Sequence, residues 1–268
     1  MTFGRRLAQA MADRGPLCAG IDPHASLLLE WGLSDDVAGL ERFALTAVEG
    51  LAPHVAVIKP QSAFYERFGS RGIAVLERVI ADSRAAGALV LLDVKRGDIG
   101  STSQAYADAY LDPTSPLASD AVTVSPYLGF GSLTPFVETA RRHDGGLFVL
   151  GLTSNREGPE VQRATTDTGE TVAARMFTHL AGLNEGAAPL GSFGAVVGAT
   201  IGDAVGDLAF NGPILAPGFG EQGGTAADIR RIFGDLPVLP SSSRGLLRRG
   251  PSVTALRDAA LATNDELR

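Results

Sequence analysis

The sequence predicts an α/β fold, a single-domain (β/α)8 TIM barrel spanning residues 1–268, on three observations. Short, continuous apolar runs rich in β-branched residues recur at 17–21, 55–58, 89–94, 121–124, 147–152, 195–197, 214–216 and 237–239. Segments with helical spacing fall between them, at 37–49, 73–85, 134–142, 171–183 and 226–233 among others. Eight such units in 268 residues is about 33 residues each, near the ~250 residues usual for this barrel. A doubly wound open sheet competes, but the count of eight and the lack of a Pro/Gly/Ser linker favour the barrel.

Each element follows from its pattern. Runs this short and unbroken read as strands buried on both faces, and their alternation with amphipathic helices gives repeated βα units around a parallel sheet. Two connections exceed what such a unit needs, at 111–119 and 154–170. The second follows a strand end, which places it on the face where barrel enzymes carry their chemistry.

Composition removes several functions. The formal net charge of −7 and the lack of a basic block argue against nucleic-acid or acidic-membrane binding. Cys18 is the single cysteine, so neither an internal disulfide nor a cysteine metal cluster can form. His24, His54, His143 and His179 show no metal-ligand spacing, and neither a nucleophile elbow nor a Walker-type loop occurs. No apolar run approaches the ~18 residues that span a bilayer, and the expectation is a cytoplasmic protein.

The 23 basic residues are Arg except at Lys59 and Lys95. Arg stays protonated, whereas Lys can give up and regain a proton, so the two lysines mark positions where a guanidinium would fail. Both fall at predicted strand ends, directly after apolar residues, rather than on solvent-facing helix positions. Asp93 and Lys95, two apart on one strand, point to the same side, and Asp22 and Lys59 close the preceding strands. Opposed charges in a partly desolvated mouth keep one another ionised. An ion-pair network that merely closes the barrel would use the same residues, but buried ion pairs are weak sources of stability. Farther on, the 217–224 turn carries Gly218, Gly220 and Gly223 in G-x-G-x-x-G spacing. After a seventh strand this reads as a phosphate cradle, with Arg244 as a charged fork after the eighth. His24, close to Asp22, rims the same pocket; His54 and His179 read as structural.

Asp93-x-Lys95-x-x-Asp98 followed by Thr102 resembles the signature of the orotidine 5′-phosphate decarboxylase family. Asp22, Lys59, the 217–224 turn and Arg244 fall at matching strand ends, so the resemblance covers nearly the whole chain. The stretches Leu-Leu-Asp-Val-Lys-Arg-Gly-Asp-Ile and Gly-Leu-Thr-Ser-Asn are similar to the longer bacterial subgroup that includes mycobacterial enzymes. The D-x-K-x-x-D core is shared with sister sugar-phosphate barrels, and Lys59, Ser154 and Gln222 narrow it.

The resemblance implies decarboxylation of orotidine 5′-phosphate to uridine 5′-phosphate without metal or cofactor, the last step of de novo pyrimidine nucleotide synthesis. It implies a homodimer with active sites shared across the interface. Lys95 would protonate the ring carbanion and Asp93 would sit beside the departing carboxylate. Asp22 and Lys59 would hold ribose hydroxyls, Ser154 would touch the pyrimidine, and Asp98 and Thr102 would serve the partner's site. Pro217, Gly218, Gly220, Gln222 and Arg244 would hold the 5′-phosphate. The longer 154–170 loop departs from the compact members.

Other readings stay open at this point. A metal-dependent sister barrel would need an acidic ligand at the end of the second strand, where this chain has Lys59. A Schiff-base aldolase could use Lys59 or Lys95, a phosphate-binding barrel would need no chemistry at all, and a nicotinamide dehydrogenase would rest on the glycine spacing alone.

Overall fold

The structure, a computed structural model, describes residues 1–199, 207–220 and 223–268. Strands form where the apolar runs fall: β1 (Cys18–Ile21), β2 (Val57–Pro60), β3 (Leu89–Arg96), β4 (Ala121–Val124), β5 (Gly146–Leu152), β6 (Phe193–Val197), β7 (Ile214–Pro217) and β8 (Val238–Ser242). They pair in parallel and in chain order, and β8 closes on β1 with Cys18 opposite Ser241. The result is the predicted eight-stranded closed barrel.

The helices are α1 (Phe3–Arg14), α2 (Ala25–Glu30), α3 (Val37–Leu51), α4 (Ala63–Glu66), α5 (Ser70–Ala85) and α6 (Gly100–Leu111). After β4 come α7 (Thr134–Arg142), α8 (Pro159–Gln162), α9 (Val172–Leu183), α10 (Ala226–Phe233), α11 (Arg244–Leu247) and α12 (Val253–Leu267). Local signals start and stop them. Asp36 caps α3 by accepting from the Gly39 amide at 2.8 Å, and the helix buries Leu40, Phe43, Ala44, Ala47 and Leu51 along one stripe. Thr225 and Asp228 form a capping box on α10, which ends at Gly234 with φ 56°.

Side-chain alternation builds the barrel interior. Cys18, Val57, Leu91, Ala121, Phe148, Val196, Leu215 and Leu239, one from each strand, pack into a single apolar cluster inside the barrel. The intervening strand residues, such as Ala19, Ile58, Leu92 and Val122, belong to the larger cluster under the helices. Phe3 and Leu7 of α1 join the inner cluster, with the Phe3 ring edge-on to Phe148 at 6.1 Å, so α1 seals the amino-terminal end of the barrel. Asp120, buried just before β4, ties that seal down: it accepts from the Val90 amide at 2.9 Å and pairs with Arg6 and Arg84.

Several helices lack the apolar stripe that would mark them in the sequence. The buried face of α6 is Ser103, Ala107, Tyr110 and Leu111, and that of α12 is Leu256, Ala260 and Asn264. Asn264 is buried because its amide accepts from the Leu17 amide and donates to the His54 carbonyl, linking the chain's last helix to the edge of β1. The 154–170 connection is not structureless: it holds α8, and Gln162 folds back to accept from the Thr153 amide at 2.9 Å.

Candidate active site

Stepping two residues along each strand from the apolar cluster reaches the carboxyl-terminal mouth. Those positions are Gly20, Lys59, Asp93, Thr123, Leu150, Gly198, Pro217 and Ser241. All but Gly20 line one cleft of about 430 Å³, together with Asp22, His24, Gln61, Phe64, Lys95, Ser154, Gly218, Phe219 and Arg244. The same period-two alternation that makes a dry floor makes a polar layer directly above it.

At the centre stands Asp93, 7% exposed. Its Oδ2 lies 3.2 Å from Lys59 Nζ, and its Oδ1 accepts from Lys95 Nζ at 2.6 Å and from the Thr123 hydroxyl at 2.7 Å. Lys59 reaches Asp22 Oδ1 at 4.0 Å, completing an Asp22–Lys59–Asp93–Lys95 chain of alternating charge. Burial alone would drive Asp93 toward its neutral form, but Lys59, Lys95 and two hydrogen bonds outweigh it and hold the carboxyl at about 2. Burial likewise opposes charge on Lys59, and the Asp22 and Asp93 carboxylates reverse this and raise it above the ordinary lysine value. Below them, burial pushes the Cys18 thiol up to about 12, so it stays neutral.

The Asp93–Lys95 contact does not come from plain strand alternation. Lys95 has φ 45°, in the left-handed region that β-strands never use, and its side chain is 44% exposed at the cleft. The strand bulges there: Leu92 faces Val122 and Arg96 faces Val124, leaving Asp93, Val94 and Lys95 opposite Thr123 alone. Thr123 is a site residue that the motifs do not single out. Its signal in the sequence is that of the lone polar residue of an apolar run, with the parity of an inward position. Gln61 is marked in the sequence only by its place at a strand end. With its amide oriented to satisfy both neighbours, it donates to the Asp93 carbonyl and accepts from Lys95 Nζ at 3.3 Å.

The remaining candidates divide. Asp22 Oδ1 is buried and accepts no hydrogen bond among the described residues, its ion-pair partner Lys59 standing 4.0 Å away. His24 packs against Phe64 along one wall, the rings 4.2 Å apart and tilted by 58°, and burial with Arg244 and Arg67 nearby lowers its proton affinity. Pro217, Gly218, Ser154 and Arg244 all line the cleft. In the glycine turn, the Gly220 amide donates to Gly224, Gly223 to Gly220 and Gly224 to Gly218, so these three amides are engaged within the turn. Gln222 lies outside the described residues. Asp98 and Thr102 do not line this cleft: Asp98 accepts from the Ile99 amide at 2.7 Å, and Thr102 is an exposed residue of α6.

Over residues 15–258 the chain matches the family described as Orotidine 5′-phosphate decarboxylase / HUMPS. A Nocardioides sp. protein named orotidine 5′-phosphate decarboxylase is 74% identical, an alignment covering 99% of this chain and 98% of the relative. The chain belongs to the orotidine 5′-phosphate decarboxylase family. A relative of the same name from Streptomyces coelicolor is 64% identical over 96% of this chain and 94% of its own. A solved Streptomyces avermitilis protein superposes with a TM-score of 0.98 at 64% identity, covering 100% of this chain and 95% of that one. Leishmania donovani OMP decarboxylase gives 0.79 at 32% identity, covering 100% and 97%. At the end of β2 stands Lys59, whose ammonium Asp22 and Asp93 share. Among the described residues no helix is long and apolar enough to cross a membrane.

Proposed function

We infer that this chain decarboxylates orotidine 5′-phosphate to uridine 5′-phosphate in pyrimidine nucleotide synthesis, with the Lys95 ammonium as the proton donor. Family membership and the 74% identical relative support the reaction. The observation that carries the mechanism is Lys95 Nζ at 2.6 Å from a buried, ionised Asp93. The bond between ring carbon six and the carboxylate breaks, its electron pair stays on the carbon, and carbon dioxide leaves. No π-system delocalises that pair, so fixed charge must stabilise it, and preorganised electrostatics of this kind supplies most of the rate acceleration in many enzymes. Asp93 holds the Lys95 ammonium in place at 2.6 Å and disfavours a second carboxylate beside it. Lys95 then transfers its proton to carbon six and regains one from solvent. The reaction draws on no metal or cofactor.

At the other end of the cleft, Arg244 suits the 5′-phosphate through its guanidinium fork. Gripping a group remote from the reacting carbon lets binding energy hold the ring in place and draw loops over it.

The working unit in this reading is a homodimer in which Asp98 and Thr102 enter the partner's cleft. What supports it is their position outside their own cleft, with Ile99 next to Asp98 exposing 63% of its surface and Tyr127 and Leu128, after β4, exposing 76% and 53%. As a step of nucleotide biosynthesis, the activity belongs in the cytoplasm.

The decisive assay follows the absorbance loss of orotidine 5′-phosphate in chelator. Wild-type protein turns over, and Lys95→Ala abolishes turnover while still binding uridine 5′-phosphate. A substantially active Lys95→Ala variant removes the assigned role.

A further inference from the structure

We propose that Thr123 is a positioning residue for the decarboxylation, its hydroxyl fixing both the Asp93 carboxylate and the bulge that carries Lys95. The proposal rests on the function inferred above and gives Thr123 no part in the proton transfer itself.

A hydroxyl has one proton to give and two lone pairs. At Thr123 all three are used on β3. Oγ1 accepts from the Val94 amide at 3.0 Å and from the Lys95 amide at 2.9 Å, and it donates to Asp93 Oδ1 at 2.7 Å. Because both lone pairs face amides, the proton has one direction left, toward the carboxylate. The acceptor of that proton is the same Oδ1 that binds Lys95 Nζ at 2.6 Å. One atom therefore sets the backbone of Lys95 and the anion that receives its side chain.

The strand geometry makes this role necessary. Between the Leu92–Val122 and Arg96–Val124 pairs, three residues of β3 face one residue of β4. A bulge leaves ladder amides without their usual carbonyl partners, and buried amides left unpaired are costly. Thr123 substitutes a side-chain oxygen for the missing carbonyl at two successive amides. It thereby holds Lys95 at φ 45°, a conformation unfavourable for a non-glycine residue when nothing stabilises it. Thr123 is itself 1% exposed, so no solvent molecule can take over these bonds without rearrangement.

Valine matches threonine in shape and removes only the hydroxyl, whereas serine keeps the hydroxyl and removes the methyl. The experiment measures kcat and KM for orotidine 5′-phosphate and Kd for uridine 5′-phosphate in wild type, Thr123→Val, Thr123→Ala and Thr123→Ser. Misplacing a reacting group by about 1 Å can cost on the order of a hundredfold in rate. The expected result is a kcat loss of at least about thirtyfold for the Val and Ala variants, with KM and the product Kd within about threefold of wild type. Serine restores kcat to within about threefold of wild type. The proposal is overturned if Thr123→Val keeps kcat within about twofold, if serine falls as far as valine, or if product binding collapses in step with kcat. Should the Val protein not fold, Ser against Ala decides: a gap of about tenfold or more in kcat supports the role, and equal values overturn it. Wild type that fails to turn over removes the functional reading and this proposal with it. Wild-type turnover with an unimpaired Thr123→Val removes the proposal alone.

Discussion

Replacing Lys59 by methionine isolates the electrostatics of the mouth from its chemistry, because folding stability can be read without substrate. Lys59 and Asp93 are each 8% exposed in their side chains and stand 3.2 Å apart, and Asp22 lies 4.0 Å away on the other side. Removing one partner of a buried pair strands the other charge and costs about 3–5 kcal/mol. Asp93 would keep Lys95 and Thr123, so the expected loss at pH 7 is near the lower end, about 3 kcal/mol. The pH dependence sharpens the test. In wild type, Asp93 sits at about 2 against an ordinary 3.8, which contributes about 2 kcal/mol of stability. A depressed carboxyl gives stability that is complete above the unfolded value and is lost as pH falls through the folded one, here from 3.8 down to about 2. Without Lys59 the largest influence that opposes burial is gone and the Asp93 value rises, so protonation relieves the variant at a higher pH than it affects wild type. The stability gap between the two proteins should therefore narrow as pH falls from 7 to about 4, read from urea titrations at each pH. A gap that stays constant over that range, or a variant as stable as wild type at pH 7, refutes the claim that Lys59 and Asp93 are coupled inside the fold.

Arg244→Ala should lower kcat/KM for the phosphorylated substrate by about a hundredfold while changing turnover of the bare nucleoside less than about threefold; equal losses on both substrates contradict the phosphate assignment. Mixing Lys95→Ala and Asp98→Ala proteins should restore about a quarter of wild-type activity, because random reassociation makes half the dimers hybrid and each hybrid carries one intact shared site. No recovery after verified subunit exchange contradicts shared sites. Asp120→Asn, at the sealed end of the barrel, should lower stability by about 2–3 kcal/mol through Arg6, Arg84 and the Val90 amide while leaving kcat unchanged. A matching fall in kcat would tie that end of the barrel to the chemistry.

Much of this architecture is legible because apolar runs and strand ends are one-dimensional signals. Lys59 and Lys95 stand out against a background of arginine; Lys59 occupies the mouth position its strand implies, whereas Lys95 reaches the same cleft by way of the bulge. Thr123 is illegible for a physical reason: its importance arises from two extra residues in β3, and a bulge leaves no mark on period-two patterning. Helices α6 and α12 escape notice because small and polar residues, Ser103, Ala107 and Asn264, fill positions where an apolar stripe would announce a helix. The glycine turn illustrates the opposite limit. Its spacing is visible in the sequence, but which amides point outward depends on hydrogen bonds among Gly218, Gly220, Gly223 and Gly224 that spacing does not encode.

The position of the charges above a dry floor also bears on why the network is built as it is. Val57, Leu91, Ala121 and Phe148 fill the barrel immediately beneath Lys59, Asp93 and Thr123, so no water approaches the ions from below. In that setting a lone carboxylate would take up a proton and a lone ammonium would lose one. Alternation is what keeps Asp93 ionised and Lys59 charged, and Asp93 in turn fixes the ammonium of Lys95 at the cleft. Replacing the set by apolar residues would extend the floor and cost the fold little, since buried pairs rarely outperform packed hydrocarbon. In the function proposed above, the chain instead keeps several ions that stabilise the barrel weakly and a carbanion strongly. On that proposal, negative charge developing on a bound ring is the event these fixed ions meet.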